Sequence, residues 1–136
     1  MVKRTMGNVI SLKTDKDCFS MSNQGTDCFL ELLEKAASGS DMTENQRNLI
    51  DFLKARREIN QIAPGSASFD VIEMPWNKET LQEDTAYMMR TIQAAKSEMV
   101  LKKLDYRPDI RIVFPWLDRF AGMIWMLDTT ILTTGI

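Results

Sequence analysis

Apolar residues recur at helical spacing in four stretches of the 136-residue chain. The first holds Phe29, Leu30, Leu32, Leu33, Ala36 and Ala37, with Thr26 or Asp27 placed to cap its start and Gly39 to cap its end. The second opens with Thr43 and Gln46, the spacing of a capping box, in which two otherwise unpaired amide donors are satisfied reciprocally. Its apolar positions are Leu49, Ile50, Leu53 and Ile59, and Ala63-Pro64-Gly65-Ser66 closes it as a loop. The longest stripe runs through Leu81, Thr85, Met88, Ile92, Ala95 and Met99 at spacings of four and three, widened by Met89 and capped by Asn77. Asp105-Tyr106-Arg107-Pro108 breaks it, because a residue before proline is pushed away from helical angles. In the fourth stretch, Ile110, Val113, Phe114, Leu117, Phe120, Ala121, Ile124 and Leu127 share a face, and Pro115 either starts this helix or kinks a longer one.

Strand signals are sparse. Val9-Ile10-Ser11-Leu12 and Phe69-Asp70-Val71-Ile72-Glu73 have the composition and partial alternation of short strands, and Ser20 to Gly25 has that of a loop. Eight of the eleven aromatic residues follow residue 68, which predicts a core organised by the third and fourth helices. The expected fold is mainly α: a single-domain bundle of four to five helices with one small β-strand pair. That domain would span residues 1–128, irregular in part over 1–25, with a frayed tail at 129–136.

Composition narrows the function. Seventeen Lys and Arg against nineteen Asp and Glu give a net charge of −2, unlike the basic footprint of a nucleic-acid-coating protein. Histidine is absent, which removes histidine-based triads, imidazole metal sites and the histidine pH switch. The six glycines are scattered, so no phosphate-cradling loop or dinucleotide fingerprint forms. Cys18 and Cys28 fit no zinc spacing and are expected as free thiols in a reducing compartment. Asp15 and Asp17 start like a calcium loop, but Phe19 stands where a third oxygen ligand belongs. No enzyme, cofactor or metal site is therefore expected. The longest apolar run, Phe120 to Leu127, is far short of a membrane span, and no signal peptide is visible, which predicts a cytoplasmic protein.

Two charge clusters remain. Lys54, Arg56 and Arg57 form the one dense basic run, suited to phosphate contact or, more simply, to the negative end of a helix dipole. Between Phe69 and Asp84, five carboxylates (Asp70, Glu73, Glu79, Glu83 and Asp84) face Lys78 alone around Met74-Pro75-Trp76, a local net of −4. Such a cluster beside an aromatic anchor suits a basic protein partner, since charge speeds encounter and the ring supplies contact energy. The alternative is that Trp76 pins the helix entry to the core while the acids sit in water. The ten methionines divide the same way, between an adaptable surface and core filling.

At Trp76…Thr80-Leu81, Leu104-Asp105-Tyr106-Arg107-Pro108 and Phe114-Pro115-Trp116-Leu117 the chain resembles small bacterial immunity proteins of polymorphic or contact-dependent toxin systems. The resemblance covers residues 74–127. It implies a stoichiometric inhibitor that binds a toxin domain and blocks or distorts its active site, and the mild net charge of −2 argues against a strongly basic nuclease as that partner. On this reading Asp70, Glu73, Trp76, Glu79, Glu83 and Asp84 contact the partner, and reversing Glu79, Glu83 and Asp84 weakens binding while leaving the fold intact. Two other readings are open: a homo-oligomer formed through the Leu81–Met99 stripe, and a nucleic-acid regulator using Lys54, Arg56 and Arg57.

Overall fold

A computed structural model describes residues 7–13, 16–37, 41–101 and 108–134, with the side chains of Leu101, of 108–112 and of 128–134 left aside. In chain order the elements are β1 (Gly7–Leu12), β2 (Asp17–Ser22), α1 (Asn23–Ala37), α2 (Glu44–Ile62) and β3 (Phe69–Asp70). Two 3₁₀ turns (Val71–Glu73 and Lys78–Thr80), α3 (Leu81–Leu101) and α4 (Pro108–Thr134) follow. The protein is mainly α with a small three-stranded sheet, β2-β1-β3, in which β1 pairs antiparallel with β2 and parallel with β3. No helix among the described residues is long and apolar enough to cross a membrane.

Ile10, Leu12, Phe19 and Met21 alternate inward from the sheet onto the helices, as the two-residue period of a strand requires. The Ser20–Gly25 loop expected from the sequence is absent: β2 continues to Ser22 and α1 begins directly at Asn23. Ser22, rather than Thr26 or Asp27, caps that helix, its Oγ accepting from Gly25 N–H at 2.9 Å. Gly25 is buried against the Trp116 indole, where a Cβ would stand 2.5 Å from Cζ3. The predicted strand through Glu73 stops at Asp70, because Asp70 caps a 3₁₀ turn instead of extending the ladder. Gly39 and Asp105–Arg107 lie outside the described residues.

The Thr43/Gln46 capping box of α2 is present as expected, with Gln46 N–H on Thr43 Oγ1 at 3.2 Å and Thr43 N–H on Gln46 Oε1 at 3.1 Å. The helix continues to Ile62, so Lys54, Arg56 and Arg57 fall short of its last turn and are not terminal dipole partners. Asn77 caps the 3₁₀ turn that leads straight into α3. Every member of the α3 stripe from Leu81 to Met99 is buried. Pro115 lies inside α4, and this helix runs on through Thr134, where a frayed tail was expected from 129.

The core is arranged differently from the expectation. α1, not the α3–α4 pair, is the central helix: it packs against each of the other three and against the first two strands. Phe29 stands at its middle, edge-on to Phe19 of β2 (6.1 Å) and to Phe120 of α4 (5.5 Å). Phe120 continues to Phe69 of β3 (6.5 Å), which meets Phe52 of α2 (5.2 Å). Five rings from five elements thus form one edge-to-face chain, and each such pair adds about 0.5–1.5 kcal/mol beyond the area it buries.

Candidate partner-binding surface

The acidic segment splits into internal and external carboxylates. Asp70 is 6% exposed and fully engaged: Oδ1 accepts from Ile72 N–H (3.0 Å), and Oδ2 accepts from Lys13 N–H (2.8 Å) and Ser11 Oγ (3.1 Å). Glu73 Oε1 returns the bond to Asp70 N–H at 3.0 Å, completing a capping box around the first 3₁₀ turn. The Val71 carbonyl of that turn accepts the Trp76 indole N–H at 2.8 Å. Trp76 is half-buried and packs on the core, so it does pin the entry to α3, while part of its ring stays at the surface. Its polar end is fixed internally and the ring is held rigid.

Asp84 is wholly buried. It accepts from Thr80 Oγ1 (2.7 Å), Asn45 Nδ2 (2.6 Å) and Gln46 Nε2 (3.3 Å). It sits in the first turn of α3 and binds side chains from the first turn of α2, so the positive ends of two helix dipoles support one carboxylate. Asp84 is therefore a clamp between helices, and reversing its charge would break the fold. The expectation that a Glu79/Glu83/Asp84 reversal leaves the fold intact is corrected accordingly. Glu73, Glu79 and Glu83 remain exposed, against Lys78. Three carboxylates and one ammonium leave −2 at the surface, half the −4 counted along the sequence.

The other sequence candidates are largely occupied. Arg57 reaches three carboxylates on one face of α1: Glu34 at 3.1 Å, Glu31 at 3.3 Å and Asp27 at 3.4 Å. Burial pulls its pKa down, but the Glu34 hydrogen bond and the three negative charges outweigh that and leave it raised. Arg56 lies over the Phe52 ring at 5.0 Å and reaches the Ser68 carbonyl at 3.4 Å. The basic run is thus not a single phosphate-facing patch. The α3 stripe is buried within this chain's own core, so a second copy could not use it without unfolding the bundle. Asp17 pairs with Arg119 at 2.7 Å, and Asp15 lies outside the described residues. Cys18 is exposed and Cys28 partly buried, both as free thiols.

Sequence reasoning missed the outer face of the sheet. A groove of about 590 Å³ lies there, lined by Val9 and Ser11 of β1, Cys18 of β2 and, beyond the strands, Lys13, Lys16 and Glu73. The Cys18-Phe19-Ser20-Met21-Ser22 alternation was the available signal for β2, and hence for this face. No protein-family model, no curated protein and no solved structure matches the chain.

Proposed function

We propose that this chain is a cytoplasmic, non-enzymatic protein-binding module of the bacterial immunity type, neutralising a toxin domain by direct association. The observation that carries the reading is Trp76, a half-buried aromatic side chain fixed by its own N–H bond to Val71 and flanked along the chain by exposed Glu73, Glu79 and Glu83. A rigid aromatic anchor loses little side-chain freedom on binding, and carboxylates around it steer a basic partner and penalise an acidic one. Asp70 contributes by positioning the 3₁₀ turn that holds Trp76, and Asp84 by fixing the start of α3 beneath Glu79 and Glu83. Neither is a contact residue on this account.

The test is binding of the product of the gene neighbouring this chain's own, measured by calorimetry for wild type and for an E79K/E83K variant, which leaves the Glu73 capping bond in place. Each exposed charge contributes about 0.2–1 kcal/mol, and the two reversals together weaken binding about three-fold or more with the circular dichroism unchanged. Unchanged affinity in the folded variant removes the acidic face from the account.

A further inference from the structure

We infer that the end of β1 sets how Trp76 is presented, and that Ser11 is a positioning residue for the partner-binding surface although it lies in the sheet. The link is a single peptide unit. Val71 C=O accepts the Trp76 indole N–H at 2.8 Å, and Ile72 N–H donates to Asp70 Oδ1 at 3.0 Å. That carbonyl and that N–H are the two ends of one planar trans peptide, so whatever holds the N–H aims the carbonyl. Asp70 Oδ1 is therefore what points the Val71 carbonyl at the indole. Met74 N–H on the same carbonyl at 3.2 Å, and Asp70 N–H on Glu73 Oε1 at 3.0 Å, close the turn around the plane.

The other carboxylate oxygen faces β1. Asp70 Oδ2 accepts from Lys13 N–H at 2.8 Å and from Ser11 Oγ at 3.1 Å, so the strand end fixes the rotation of the carboxylate. The parallel pairing of β1 with β3 sets Ser11 opposite Asp70 and makes this reach possible. Only a carboxylate serves both sides, because it offers one acceptor oxygen to the turn and one to the strand, whereas an amide of the same shape has a single oxygen. Capping the turn alone needs one acceptor, as a serine or asparagine would supply. The second oxygen is the tie that carries a disturbance of the strand end to the ring.

This inference deepens the reading of Trp76 as the partner's anchor and rests on it. Its readout needs no partner, so the two fail separately.

The experiment records the indole N–H signals of the isolated protein by nuclear magnetic resonance in wild type, Asp70→Asn, Ser11→Ala and Ser11→Thr. The chain has three tryptophans: Trp76→Phe identifies the Trp76 signal, and Trp116 and Trp125 serve as internal references. In Asp70→Asn one side of the link loses its acceptor whichever way the amide faces, and the Trp76 indole proton is expected to shift and to exchange about five-fold faster. Ser11→Ala serves where the buried Asp70 change disturbs folding. It removes one donor, and is expected to move the same signal in the same direction with exchange about two-fold faster. Ser11→Thr, which keeps the hydroxyl, is expected to restore the wild-type signal. A Trp76 signal unmoved in folded Ser11→Ala, one moved equally by Ser11→Thr, or shifts as large at Trp116 and Trp125 overturns the inference. Binding of the neighbouring gene's product to Ser11→Ala then separates the two claims. A moved indole with unchanged binding upholds the link and removes Trp76 as the anchor, while an unmoved indole overturns the link whatever the binding does.

Discussion

Replacing Asp84 with alanine isolates the clamp between α2 and α3. The carboxylate is fully buried and accepts from Asn45, Gln46 and Thr80. Removing it leaves Gln46, itself 7% exposed, and half-buried Asn45 with donors that water reaches poorly, while the Thr80 hydroxyl can rotate toward another acceptor. A hydrogen bond to a charged group is worth about 1.5–3 kcal/mol, and a buried donor stranded without a partner costs about 1–3 kcal/mol. Two stranded donors therefore set the loss at about 3–5 kcal/mol. For a chain of this size that lowers the melting temperature by roughly 10–15 °C. Glu83→Ala, one residue away and exposed, changes stability by about 0.5 kcal/mol or less. Urea unfolding followed by far-ultraviolet circular dichroism measures both. A loss below about 1 kcal/mol for Asp84→Ala, or equal losses for the two variants, would refute the clamp.

Two further outcomes test the packing. Gly25→Ala places a Cβ 2.5 and 2.6 Å from the Trp116 ring, so overpacking costs about 1–3 kcal/mol despite the better helix former; adding Trp116→Phe recovers part of it, as a double-mutant cycle shows. Arg57→Met removes three ion pairs from a partly exposed guanidinium and costs about 1–2 kcal/mol in urea unfolding, less in high salt. Its folded pKa is raised above an already strongly basic value, so its contribution is complete below the unfolded pKa and is lost only as pH rises through the folded one. The difference between wild type and Arg57→Met is therefore the same at pH 7 and pH 9, and a fall over that interval contradicts the assignment.

Local chemistry was legible in the sequence, and long-range contact was not. The Thr43/Gln46 capping box and the buried α3 stripe both depend on residues a few positions apart, and both are present. β2 escaped because Phe19 and Met21 are its only strong apolar positions among serines, and its flanking serine caps α1 instead of opening a loop. The centrality of α1 depends on Phe29 meeting Phe19 and Phe120, a contact that no periodicity encodes. The acidic segment was visible as a cluster, but its division was not. Asp84 is internal because Asn45 and Gln46, 39 and 38 residues upstream, donate to it. Asp70 is internal because β1 ends beside it.

The central claim is that Trp76 and the carboxylates around it hold a toxin domain. It is tested most directly by co-expressing this chain with the product of the neighbouring gene and passing the mixture over a sizing column. The account predicts rescue of growth and a co-eluting complex, both weakened by E79K/E83K in a chain that still folds. Absence of rescue and complex with the wild-type chain, or an undiminished complex with the folded double variant, would contradict it.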